Sequence, residues 1–213
     1  MVQLQEKLTT NDWVKADWET YIQEIESPKN EKCQGYYYNG EMRIEDMPTG
    51  ADHASDNGLI YLAVTLFCMV KGIPIQGLIG CSYRKMGMRE CQPDISFYIG
   101  DRAKLSPTGT SIVNLDERVT PNLVVEISNT TIADDLGSKR LLYEEMGVTE
   151  YWVVDVQNCQ IYAFEMFDRG SKRIDISLAL PQLPIDTIVE ALNRSKEFDQ
   201  TQIGQWLMTE FKV

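Results

Sequence analysis

The segment Leu123-Val124-Val125-Glu126-Ile127 constrains this chain more than any other. Its apolar residues are largely β-branched, which favours an extended strand. Side chains on a strand alternate between two faces, so an apolar run without alternation needs cover on both sides. A central strand in a sheet flanked by helices meets that need. Glu126 then sits where a lone carboxylate is costly unless it is paired, protonated or bound to a cation.

The flanking sequence supplies the other layers. Asp12 to Glu26 reads as an amphipathic helix, with Val14, Trp18, Tyr21, Ile22 and Ile25 recurring at threes and fours, closed by Ser27-Pro28. Tyr36 to Ile44 reads as a hairpin around Asn39-Gly40. Pro48-Thr49-Gly50 and Asp52 open a helix to about Val70, with Gly72 just past its end. Strands are expected at Ile75 to Ser82 and Asp94 to Ile99, the latter placing Asp94, Ser96 and Tyr98 on one face. Gly100 to Asn114 reads as a polar loop and Pro121 to Ser128 as the central strand. Asp134 to Met146 follows as a helix closed by Gly147. A second hairpin is expected from Glu150 to Val156 and Gln160 to Glu165, then a strand near Arg173 to Leu178 and a C-terminal helix from Phe198 to Phe211. Interleaved strands and helices predict one α/β domain over residues 1–213, built on a mixed sheet.

Composition removes several function classes. The hydrophobic share of 43% and charged share of 24% are those of a globular protein. No apolar run reaches the roughly 20 residues of a membrane span, and the N-terminus lacks a signal-like apolar stretch, so the expectation is a cytoplasmic protein with no membrane partner. Five cysteines without a C-x-x-C pair argue against a disulfide framework and a thiolate zinc site. The single histidine, His53, excludes any two-histidine metal site. A metal site would therefore use oxygen ligands, which suits Mg²⁺ or Mn²⁺. The net charge of -12 runs against the basic surface that nucleic acids attract. No GxSxG, GxxxxGK[ST] or GxGxxG pattern occurs.

Three residues carry most of the chemical interest. Glu126 is either a strand residue salt-bridged to a neighbour or a metal ligand. Asp94 follows Pro93 at a strand start, as turn aspartates commonly do, but beside Glu126 it offers a second oxygen ligand for one hard cation. Lys139 shares a helical stripe with Leu136, Tyr143 and Met146, which should face the sheet. It either snorkels outwards, pairs with Asp135 at i, i+4, or points its ammonium at the carboxylates. His53 fits a capping or packing role as well as a site role. Tyr36-Tyr37-Tyr38 reads as core or as a base-stacking strip. Ser82 and Ser128 have no evident base partner.

These segments together resemble a known family. Gln92-Pro93-Asp94-Ile95-Ser96-Phe97-Tyr98-Ile99-Gly100, Pro121-Asn122-Leu123-Val124-Val125-Glu126-Ile127-Ser128, Asp134 to Tyr143 and Gly147 to Asp155 look like the Uma-two family of PD-(D/E)XK restriction-endonuclease-like proteins. The resemblance covers Gly35 to Phe164. It implies a restriction-endonuclease-like core, αβββαβ, over about residues 35–165, with a central mixed sheet flanked by helices plus N- and C-terminal helices. It implies Asp94 and Glu126 as Mg²⁺ ligands, Mn²⁺ being possible, with the Ile127 carbonyl as a third. Ser128 stands where the general nuclease pattern has lysine, and Lys139 on the following helix takes that role. Gln92 stands where many relatives have glutamate. The implied function is a Mg²⁺-dependent endonuclease acting on nucleic acid, DNA above all, and working as a homodimer. The alternative is a catalytically weak or inactive module of the same fold that acts in binding or assembly, which Gln92 and the acidic charge favour.

Overall fold

The structure, a computed structural model, describes residues 12–48 and 50–212. In chain order these form β1 (Val14–Lys15), α1 (Trp18–Ile25), β2 (Cys33–Tyr38), β3 (Glu41–Asp46), α2 (Ala51–Lys71), β4 (Ile75–Ile79), β5 (Tyr83–Lys85), β6 (Arg89–Cys91), β7 (Ile95–Ile99), β8 (Val113–Asn114), β9 (Leu123–Ser128), α3 (Ile132–Leu136), α4 (Ser138–Met146), β10 (Glu150–Asp155), β11 (Gln160–Phe167), β12 (Gly170–Arg173), α5 (Ile185–Arg194) and α6 (Gln200–Glu210). Two compact units result. One comprises the described part of Met1–Thr49 with Ser82–Gln92 and Thr110–Arg118; the other comprises Gly50–Cys81, Pro93–Gly109 and the described part of Val119–Val213.

The first unit is a six-stranded sheet in the order β1-β3-β2-β6-β5-β8. Its hairpin β2–β3 turns at Asn39 and Gly40, which have φ of 52° and 77°, the paired positive values that an Asn-Gly turn supplies. The helix expected from Asp12 starts only at Trp18. Val14 and Lys15 pair instead with Met42 and Glu41, and the Asp17 side chain accepts from Thr20 N–H as the N-cap. Tyr21, Tyr37, Met42 and Ile44 form this unit's core, with Trp18 packed against it. Tyr36 and Tyr37 are thus buried rather than displayed for stacking, and the Tyr36 hydroxyl donates to the Gln92 carbonyl at 2.9 Å. The β5–β6 hairpin was not expected from the sequence. Its strands are three residues each, too short for alternation to show.

The second unit carries a six-stranded sheet in the order β12-β11-β10-β9-β7-β4. β9 and β10 run parallel, while the other neighbours are antiparallel, so the sheet is mixed. The succession α2, β4, β7, β9, α3–α4, β10 is the expected αβββαβ order. Leu123, Val125 and Ile127 of β9 join Ile95, Phe97, Trp152 and Val154 on one face, under α2, α5 and α6. Residues of opposite parity, including Glu126, face the α3–α4 side. Both faces of β9 are buried, as its apolar run requires.

Helix α2, capped at its end by Gly72 in the left-handed conformation, is 21 residues long. By length and composition it is the one helix among the described residues long and apolar enough to cross a membrane. Its Leu59, Ile60, Ala63, Val64, Phe67 and Cys68 are instead taken up by the core. Three further expectations need correction. The helix over Asp134 to Met146 breaks at Gly137, where an added Cβ would stand 2.8 Å from the Ala133 carbonyl oxygen. The strand expected near Arg173 to Leu178 lies earlier, at Gly170–Arg173, because Phe164 to Phe167 offers it a paired edge there. The loop after Ile99 contains a 3₁₀ turn, Gly100–Leu105, and the short strand β8. Helix α5 was missed. It follows a Pro- and Gln-rich stretch that reads as loop, yet it buries Ile185, Ile188, Ala191 and Leu192.

Candidate metal and phosphoryl site

Asp94 lies one residue ahead of β7, and Glu126 lies inside the adjacent β9. Ile95 pairs with Val125 across these antiparallel strands, so both acidic side chains fall on the α3–α4 side. The Asp94 carboxylate is fixed at both oxygens. Oδ2 accepts the Ile127 backbone N–H at 2.8 Å, and Oδ1 lies 3.0 Å from His53 Nε2. Since an ionised carboxylate only accepts, that imidazole nitrogen carries the hydrogen. His53 stands in the first turn of α2 and is therefore brought to the site by the helix core. Its bond to Asp94 raises its pKa above the ordinary histidine value, against the opposing effect of burial.

Glu126 is 2% exposed. Its Oε1 accepts the Tyr143 hydroxyl at 2.6 Å, and its Oε2 lies 4.0 Å from Lys139 Nζ. Burial pushes its carboxyl well above the usual range. Lys139 and the Tyr143 bond pull the other way, while Asp94 and Asp135 add to the rise. Lys139 does not snorkel outwards; it is buried and facing the sheet, as its stripe predicted. Its closest carboxylate is Asp135, whose Oδ1 lies at 3.1 Å, with Asp134 Oδ2 at 4.0 Å. Both sequence-level alternatives for an inward lysine are therefore present together, the i, i+4 pair and the approach to Glu126. Asp135 is itself held by Thr131, whose hydroxyl donates to Oδ2 at 2.6 Å. The break at Gly137 lets α3 present Asp135 and α4 present Lys139 to the same end of β9.

Three residues of this cluster carried little or no weight in the sequence. Tyr143 shares the Lys139 stripe, which was the available signal for its contact with Glu126. Asp135 was visible only as a helix-surface partner of Lys139. His53 had no assigned role, and nothing in its neighbours points to Asp94, 41 residues away. Ser128 is buried beside Thr131, with no histidine or carboxylate among its hydrogen bonds.

No group of three His, Cys, Asp or Glu side chains converges as a metal-holding set among the described residues. A cation at this place would have two carboxylates and the backbone carbonyl of Ile127 as donors, with water completing its shell. That all-oxygen, water-rich set is what Mg²⁺ takes, and it does not suit zinc. The donor chemistry therefore fits a hard divalent ion.

An αβββαβ sheet with acidic residues on adjacent strands and a buried lysine from the next helix defines a protein of the restriction-endonuclease-like class. Residues 18–197 match the model of the Uma2 family, described as "Putative restriction endonuclease", and the chain belongs to that family. It is also similar to a solved structure from Anabaena variabilis, titled as a "putative nuclease belonging to DUF820". That similarity has 16% identity and a TM-score of 0.49, and it covers 81% of this chain and 90% of the other. No curated protein matches.

Proposed function

We propose that this chain is a Mg²⁺-dependent endonuclease, active also with Mn²⁺, that hydrolyses phosphodiester bonds in DNA. The observation that carries this is the approach of buried Lys139 to Glu126 at 4.0 Å, next to the residue whose N–H fixes Asp94. Asp94, Glu126 and the Ile127 carbonyl would hold the ion. Bound there, a divalent ion lowers the pKa of a water and polarises the scissile phosphate. His53 and the Ile127 N–H set the orientation of Asp94. Tyr143 sets that of Glu126. Lys139, its position fixed by Asp135, offers a cation to the charge that builds on the phosphoryl group.

We read residues 1–213 as one functional domain, because the chain passes repeatedly between its two units. Five free cysteines fit a reducing compartment, which supports a cytoplasmic protein. A homodimer is the assembly we propose, the commonest one for such chains; light scattering on the purified protein tests it.

The activity test is incubation of purified protein with plasmid and with single-stranded DNA, with Mg²⁺, Mn²⁺ or EDTA. Cleavage that needs the metal and disappears in folded Glu126→Ala is expected. Equal cleavage by Glu126→Ala and the parent would overturn the site. A rise in melting temperature with Mn²⁺ that is absent in Asp94→Ala is expected alongside.

A further inference from the structure

A cleft of about 550 Å³ opens beside the candidate metal site. It lies between the first turns of α2, the carboxyl ends of β9 and β10, and the loop joining α5 to α6. The volume is in the range of small-ligand pockets. Two of its walls are also the two partners of Asp94: the His53 ring and Ile127. The cleft therefore adjoins the Asp94 carboxylate of the candidate site.

The chemistry of the walls excludes a phosphate inside the cleft. Asp52, Asp56 and Asp199 outnumber the lining lysine, Lys196. Carboxylates only accept hydrogen bonds, so they disfavour an anion and select a partner that donates. Burial and the neighbouring Asp52 push the Asp56 carboxyl above its ordinary value, which favours a donor brought to it. On the opposite wall the Gln157 side-chain amide donates to Asn129 Oδ1 at 3.0 Å. That bond ties the two amides together at the cleft wall, where Asn129 keeps an NH₂ donor and Gln157 a carbonyl acceptor. Phe198, 43% exposed, lines the cleft together with the apolar Leu59 and Ile203.

We propose that this cleft binds an unpaired adenine or cytosine, whose amino group at C6 or C4 stands where guanine and uracil have a carbonyl, next to the scissile phosphate. Phe198 stacks on the base, Asp56 accepts from the amino group, and the Asn129–Gln157 pair reads the adjoining ring positions. This rests on the nuclease reading above and narrows its substrate to single strands or to bases drawn out of a duplex.

The test uses free nucleosides, which lack phosphate and need no metal. Binding of adenosine, inosine, cytidine and uridine to the full chain is measured by calorimetry or by shifts in amide spectra. Adenosine is expected to bind about tenfold more tightly than inosine, and cytidine more tightly than uridine, because each second member replaces the amino group with a carbonyl. Phe198→Ala, at an exposed position, should weaken adenosine on the order of tenfold, the value of one stacked base. Asp56→Asn should erase the preference over inosine without lowering the melting temperature, since burial and Asp52 already disfavour the charged Asp56. No binding at millimolar nucleoside, or equal binding by the parent and Phe198→Ala, overturns the proposal. Selective nucleoside binding without DNA cleavage would sink the nuclease reading and keep the cleft. Cleavage without nucleoside selectivity would do the reverse.

Discussion

Replacing Lys139 by methionine should destabilise the metal-free protein by about 3–5 kcal/mol, the range for stripping one partner from a buried ion pair. Lys139, Asp135 and Glu126 are each at most 2% exposed, so solvent cannot take over the lost charge. Methionine keeps the apolar stem and leaves little cavity. The loss divides unequally between the two acids. Coulomb energy falls as the inverse of distance, so the Glu126 interaction at 4.0 Å is roughly three-quarters of the Asp135 one at 3.1 Å. At about 2–4 °C per kcal/mol for a chain of this size, the melting temperature should fall by about 6–20 °C. The measurement is urea and thermal unfolding in EDTA, at pH 7.5 and again at mildly acidic pH. Burial already raises the Glu126 carboxyl, and Lys139 opposes that rise. Without Lys139 the folded-state value climbs further. A folded carboxyl with a raised pKa holds its proton more tightly than the unfolded chain does. Stability is then greatest below the ordinary glutamate range and falls as pH rises towards the folded value. The deficit of the variant should therefore shrink on acidification. A loss under about 1 kcal/mol, the worth of an exposed pair, and unchanged with pH would refute the reasoning.

Two other outcomes follow from the same cluster. The lone histidine resonance should titrate above the ordinary histidine value in EDTA and move down in Asp94→Asn, since the bond to Asp94 is the main cause of the rise; its stabilising effect is present at low pH and lost as pH climbs through the folded value. Gly137→Ala should lower stability by about 1–3 kcal/mol, because its Cβ meets a backbone carbonyl at 2.8 Å, and should reduce any metal-dependent cleavage by displacing Lys139; an unchanged melting temperature would mean that the helix break does not require glycine.

Local signals with a strong physical cause were the legible ones. Asn39-Gly40 needs two positive φ values and marks its hairpin unaided. Gly72 and Gly147 end their helices in the left-handed conformation. The apolar run at β9 specified its place between two covered layers, and the stripe of α4 put Lys139 on the sheet-facing side while leaving open whether its ammonium turned outwards. What stayed hidden depends on tertiary pairing. Val14–Lys15 has helical periodicity, but strand β3 offers it hydrogen bonds. Gly137 is one residue in a pattern that otherwise continues as helix. The partners of the site are of the same kind. His53 meets Asp94 only because α2 packs on the sheet, and Tyr143 meets Glu126 only because α3 and α4 cover the sheet face that Glu126 points to. Sequence spacing reports which way a side chain points, but not what waits for it there.

Under the proposed function, the position of Glu126 ties durability to activity. Burial holds the Glu126 carboxyl well above its usual range even with Lys139 beside it, so its charge costs the empty fold stability near neutral pH and Glu126→Gln should outlast the parent when no metal is present. Under this arrangement, selection for a hardier scaffold and selection for a working site pull the same codon in opposite directions. A hardier relative that has lost activity is thus most simply reached by a change at position 126.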